Sequence, residues 1–182
     1  MSKNPSGQYF VSVLVDCNIE LKPRTNRSVG IDLGLEHLLI LSDGTKIENP
    51  RWFRKNQSKL KRAQQHLNRK RRGSNRYTKQ KLKVAKLQGK LANQRKYTHH
   101  VVSSWLVDCY DHVFTEDLNV AGMKRSLGKS VSDAGWASFV SMLEYKSRWY
   151  GRGFHKIDRF FPSSKTCSGC GHVNQLLLSR VS

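Results

Sequence analysis

The chain has 182 residues, 37% of them hydrophobic, with 33 Lys and Arg against 13 Asp and Glu, a formal charge of +20 and a pI near 10.2. That length suits one domain or a little more, since single cores usually span roughly 100 to 200 residues, and the apolar residues fall in runs that exclude wholesale disorder. The charge points to a polyanionic partner; no apolar run reaches the roughly 18 to 20 residues of a membrane span and Met1–Gly7 lacks the layout of a secretory leader, so a cytoplasmic, chromosome-associated location is expected.

In chain order, Gln8 to Val15 alternates as a strand does, with Tyr9, Val11, Val13 and Val15 on one face after a Pro5-Ser6-Gly7 turn. No partner for it is evident nearby, and a lone strand is marginal in water, so it is expected to be the end of a domain whose beginning lies elsewhere. Asn18 to Arg27 reads as a linker. Ser28 to Leu33, His37 to Leu41 and Thr45 to Glu48 predict three antiparallel strands, turning at Ser42-Asp43-Gly44 and closed by Pro50.

From Trp52 to Leu106 the pattern is helical, broken at Gly73-Ser74-Asn75, whose residues favour the turn of an antiparallel helical hairpin. Asp111 to Glu116 reads as a further strand and Asp117 to Asp133 as a loop. Trp136, Phe139, Val140, Leu143 and Tyr150 then fall on one stripe of an amphipathic helix, with Asp133 placed to cap its start and Gly151 to stop it. Such a stripe is expected to pack in the core rather than hold a ligand. Gly153 to Phe161 predicts a fifth strand.

The charge is concentrated in the hairpin. Arg51 to Lys96 holds 18 Lys or Arg and no Asp or Glu. Cations without carboxylates at i to i+4 spacing repel one another until phosphate arrives, which argues for a binding surface rather than a solvated face of mixed sign. The residues expected to bind nucleic acid are Arg54, Lys55, Lys59, Lys61, Arg62, Arg69, Lys70, Arg71, Arg72, Arg76, Lys79, Lys81 and Lys83. Lipid is disfavoured because the apolar stripe is too thin for an interfacial helix.

Two acids stand out. Asp32 lies in Val29-Gly30-Ile31-Asp32-Leu33-Gly34, an apolar strand whose glycines leave room for a ligand or backbone, and an acid turned to a sheet core would need a partner. Glu116 ends the apolar run Val113-Phe114-Thr115-Glu116. If their strands are adjacent, both carboxylates project from one sheet edge, where oxygen ligands suit Mg2+ or Mn2+. Two such ions about 4 Å apart activate a water and stabilise the leaving oxygen in phosphodiester hydrolysis. Cys17 and Cys109 are isolated, while Cys167-Ser-Gly-Cys170 has a spacing suited to metal thiolates in a reducing compartment.

Four ordered motifs, Val-Gly-Ile-Asp-Leu-Gly, the basic hairpin, Thr-Glu-Asp-Leu-Asn-Val-Ala-Gly-Met and Asp-Arg-Phe-Phe-Pro-Ser-Ser-Lys-Thr-Cys-Ser-Gly-Cys-Gly-His, span nearly the whole chain. Together they resemble the OrfB-type transposases of insertion sequences, the TnpB family related to type V CRISPR effectors. The resemblance implies an α/β fold: an RNase H-like (RuvC) mixed sheet with an inserted basic helical hairpin and half of a zinc ribbon, preceded by a strand remnant of another domain. The implied boundaries are 1–27 for the remnant and linker, 28–162 for the core with the hairpin at about 51–106, and 163–182 for the ribbon. It further implies metal-dependent cutting of DNA directed by a guide RNA, with Asp32 and Glu116 as the first two catalytic carboxylates and Cys167 and Cys170 as half of a four-cysteine zinc site.

Members of that family continue to a second Cys-x-x-Cys and an Asp-Arg-Asp motif carrying a third carboxylate, and they carry a larger N-terminal half. The expectation is therefore a piece shortened at both ends, with cleavage impaired and zinc, even with His172 as a third ligand, held weakly or not at all. Two competing readings are a non-enzymatic DNA- or RNA-binding regulator that keeps the hairpin, and an actin-like ATPase using Gly-Ile-Asp-Leu-Gly as a phosphate loop. Asp32 and Glu116 weigh against the first, the hairpin against the second.

Overall fold

The computed structural model of the chain describes residues 1–117, 128 and 134–158. Among these residues seven strands and three helices follow in order. They are β1 Ser2–Lys3, β2 Tyr9–Phe10, β3 Ser28–Leu33, β4 His37–Leu41, β5 Lys46–Glu48, α1 Trp52–Asn68, α2 Asn75–Cys109, β6 His112–Glu116, α3 Trp136–Trp149 and β7 Gly153–Ile157.

The N-terminal strand is shorter than its alternation predicts. Only Tyr9–Phe10 is strand, and it pairs antiparallel with Ser2–Lys3 in a small hairpin turned by Gly7 at φ 87°. Val11, Val13 and Val15 are 68%, 76% and 67% exposed, so the alternating face buries nothing within the described residues and gains no free energy from regular pairing.

The main sheet has five strands in the order β5-β4-β3-β6-β7. The meander β3-β4-β5 is antiparallel, whereas β3 pairs parallel with β6 and β6 parallel with β7. The α1–α2 hairpin fills the crossover from β5 to β6, and α3 that from β6 to β7. Burial alternates along β3: Val29, Ile31 and Leu33 are buried, while Asp32 is exposed. One face of the sheet therefore packs on the C-terminal half of α2 (Val102, Leu106, Val107) and on α3 (Trp136, Phe139, Leu143), and the other carries the acid. Each fully buried Leu or Phe in that layer contributes about 2 kcal/mol by leaving water.

The stripe of α3 is core, as its spacing predicts, with Phe139 and Leu143 fully buried and Val140 and Tyr150 packed beside them. Its start differs from expectation. Gly135, at φ 65° and without a side-chain cap, holds the cap position, and Asp133 lies outside the described residues. Gly151 at φ 68° marks the stop. In the hairpin, Ser74 caps α2 by accepting from the Tyr77 N–H at 3.1 Å, and Gly73 takes the left-handed backbone at φ 82° that the turn needs. No helix is long and apolar enough to cross a membrane among the described residues.

Candidate metal and nucleic-acid site

Asp32 does not face the core, so its burial is not the problem its apolar strand suggested. Gly34 is small for a local reason: a Cβ there would lie 2.8 Å from the His37 carbonyl oxygen, so the glycine serves the β3–β4 turn. Gly30 is under no such demand, since a Cβ would meet Ser42 Cβ at an ordinary 3.7 Å.

The register brings the two acids together. Ile31 pairs with Thr115 in the parallel β3–β6 ladder, so the next residues, Asp32 and Glu116, stand side by side on adjacent strands and on the same face. Neighbouring strands are about 4.8 Å apart, a spacing at which two carboxylates can share a cation. The row extends across the sheet. Asp32 faces Ile40, Ile40 faces Lys46, and Glu116 pairs with Ile157, which gives Lys46-Ile40-Asp32-Glu116-Ile157 from edge to edge. Sequence reading missed Lys46, because only the strand pairing places it in line with the acids.

The donor set of the row is hard oxygen, suited to Mg2+ or Mn2+ rather than to soft metals. Among the described residues, no group of three or more His, Cys, Asp or Glu is arranged to hold a metal ion. Cys167, Cys170 and His172 lie outside the described residues, and Cys17 and Cys109 are free thiols.

The cations form an arm. Helix α2, about 50 Å long at 1.5 Å per residue, is anchored in the core through His99 to Val107 and carries α1 along its other half. Leu60 and Val84 are buried in that arm, and Gln80 Nε2 on α2 donates to the Ala63 carbonyl on α1 at 3.0 Å. Arg54, Lys55, Lys59, Lys61, Arg62, Arg69, Arg71, Arg72, Arg76, Lys79, Lys81 and Lys83 are all exposed, and Lys70 is half-buried. Solvent-facing cations on a rigid two-helix arm can reach phosphates without rearranging the core.

Polar contacts fix the scaffold beneath. Lys146 on α3 is buried and donates to the His100 carbonyl, Ser103 Oγ and Ser104 Oγ, each at 2.8 Å, and burial lowers its pKa. Arg152 donates to the Val107 and Pro23 carbonyls and pairs with Asp111, which also accepts from the Thr25 and Asn26 N–H groups. Those N–H bonds, with the guanidinium, hold the Asp111 carboxyl below its usual range. The clasp ties the segment before β3 to the start of β6, and thereby steadies the parallel pairing that aligns the acids.

Residues 9–127 match the sequence profile of OrfB_IS605, described as "Probable transposase", and residues 136–181 match that of the Cas12f1-like TNB domain. A Streptomyces pristinaespiralis protein named "Putative RNA-guided DNA endonuclease" is 41% identical over 175 residues, 95% of this chain and 44% of that protein. The Escherichia coli K12 protein named "Putative RNA-guided DNA endonuclease InsQ" is 32% identical over 185 residues, 92% of this chain and 46% of its own. The chain thus spans a little under half the length of these curated relatives. Among solved structures, Cas12f1 in a complex with sgRNA and target DNA is alike in fold, with a TM-score of 0.52 at 21% identity, covering 85% of this chain and 34% of that one.

Proposed function

Because the chain belongs to the OrfB_IS605 transposase family, we propose that it is part of an RNA-guided, metal-dependent DNA endonuclease, with Asp32 and Glu116 as two of its catalytic carboxylates. The sheet order β5-β4-β3-β6-β7, with its antiparallel meander followed by parallel strands, supports an RNase H-like (RuvC) core. The observation that carries the reading is the register that sets Asp32 beside Glu116 on one exposed face. A lone carboxylate near a strand end is ordinary; two, contributed from opposite sides of a basic arm in sequence and adjacent in the sheet, form a cation site.

In this reading the exposed cations of α1 and α2 anchor the phosphates of DNA and of a guide RNA, and the strands β3 and β6 hold the two acids at fixed spacing. A bound Mg2+ or Mn2+ would supply an activated water and charge stabilisation for the leaving oxygen. Two carboxylates hold a metal pair less tightly than three, so cutting calls for a further oxygen ligand beside Asp32 and Glu116, whereas binding of nucleic acid through the arm does not. Cys167 and Cys170 are proposed as two of the four ligands that a tetrahedral zinc ion takes.

The test incubates single- and double-stranded DNA with the chain and Mg2+, beside Asp32→Ala. Binding is expected in both, with any Mg2+-dependent cutting lost in Asp32→Ala. Cutting that is lost in Asp32→Ala would support the acid, and cutting that persists in Asp32→Ala would remove it from the site.

A further inference from the structure

The row of residues below the acids, on the same exposed face, carries rings rather than charge. Phe114 stacks on His155 with ring centroids 4.7 Å apart and planes at 20°. His155 in turn stacks on His112 at 5.5 Å and 29°, with His112 Nδ1 and His155 Nε2 3.2 Å apart. The backbone makes room for this arrangement. A Cβ on Gly153 would lie 2.2 Å from His112 Nδ1 and 2.8 Å from His155 Nε2, so only glycine at 153 lets the two imidazoles meet.

Among the described residues the stack is open at one end. Phe114 has His155 as its partner on β7 and Gly30 as its partner on β3. Gly30 has no side chain, and the residue bonded to it on the other side, Ser42 just after β4, is small: the Gly30 N–H donates to Ser42 Oγ at 3.1 Å and the Ser42 N–H to the Gly30 carbonyl at 2.9 Å. One face of Phe114 therefore looks over a floor of backbone and a serine. Asp32 and Glu116 stand two residues further along the same strands, about 6.7 Å away.

We propose that this slot, floored by Gly30 and Ser42 and walled by Phe114 of the Phe114-His155-His112 stack, receives one unpaired base of a single strand and so brings the adjoining phosphate within reach of the cation that Asp32 and Glu116 would hold. A flat aromatic face beside a space without side chains fits a planar base, and base-on-aromatic stacking tolerates any sequence. A base within a duplex has both faces covered by its neighbours, so the slot selects single strands. The cationic arm supplies attraction for the backbone but cannot tell a base from its absence; the slot can. The inference deepens the nuclease reading above and rests on it for the role of the acids, but base binding is measured without cleavage.

The experiment compares a single-stranded oligodeoxynucleotide with an abasic strand of equal length and charge, at moderate salt so that phosphate contacts do not mask the difference. Gly30→Val fills the slot from its floor at a position with room for a Cβ and in a residue type that strands favour. Phe114→Leu keeps bulk but removes the π face. The parent is expected to prefer the base-bearing strand, and each variant to lose about tenfold on that strand with abasic binding unchanged. Equal affinity of the parent for both strands, or equal losses on both strands in the variants, overturns the slot and leaves the cationic arm standing. Binding of neither strand by the parent overturns the arm and the slot together.

Discussion

His99 shows how a single side chain can couple this fold to pH. Its Nε2 lies 2.9 Å from the Ala134 carbonyl oxygen and must be the protonated nitrogen, while Nδ1 is buried without a hydrogen-bond partner among the described residues. Burial, opposed in part by the Ala134 contact and aided by Arg95, lowers its pKa from 6.5. A second proton would put an unpaired N–H donor and a charge in the core. The unfolded chain takes up that proton first, so the stability due to neutral His99 is complete above about pH 6.5 and declines as the pH falls toward the lower folded value. His100, also lowered by burial, acts in the same direction. The parent's melting temperature is expected to fall between about pH 7.5 and pH 5.5. His99→Gln, which keeps an N–H for Ala134 but does not titrate, should fall less steeply; equally steep curves would show that His99 is not the sensor.

At the scale of elements, the α1–α2 arm trades stability for binding. Its cations repel one another and are not relieved by acids of the same segment, since 51–96 contains none. If about six of them contact phosphates, the log-log dependence of duplex affinity on salt should have a slope near −5, and somewhat less on single strands. Replacing Arg69, Arg71 and Arg72 together by alanine should make that slope shallower by roughly one for each lost contact, while affinity falls uniformly across sequences. A flat salt response in the parent, or an unchanged slope in the triple variant, would place phosphate binding elsewhere. The arm was legible in the sequence because its signals are local: helical periodicity, the Gly73-Ser74-Asn75 turn and one sign of charge. The cap of α3 was not, because Gly135 reaches its position by a left-handed backbone that no neighbouring side-chain pattern announces.

For the whole molecule, what could be read in advance was what depends on short stretches of chain. The meander β3-β4-β5, the strand β6 and the core stripe of α3 follow from alternation, turns and helical spacing. Tyr9 to Val15 failed because alternation records only that a segment could be half-buried; apart from the short pairing of Tyr9–Phe10 with Ser2–Lys3, the described residues offer it no surface. Lys46, His155 and Gly153 join the exposed face through strand pairing between residues far apart in sequence, and Asp111 acquires its clasp from Thr25, Asn26 and Arg152 in the same way.

The adjacency of Asp32 and Glu116 lies between these cases, since it required β3 and β6 to be neighbours, and they are. Whether the pair shares a cation is tested most directly by titrating Mn2+ by electron paramagnetic resonance into the parent, Asp32→Ala, Glu116→Ala and the double variant. Each single substitution should weaken binding, and the double should fall well short of the sum, with a coupling on the order of 0.5–3 kcal/mol. Losses that simply add, or Mn2+ binding untouched by either substitution, would mean that the two acids do not hold one ion.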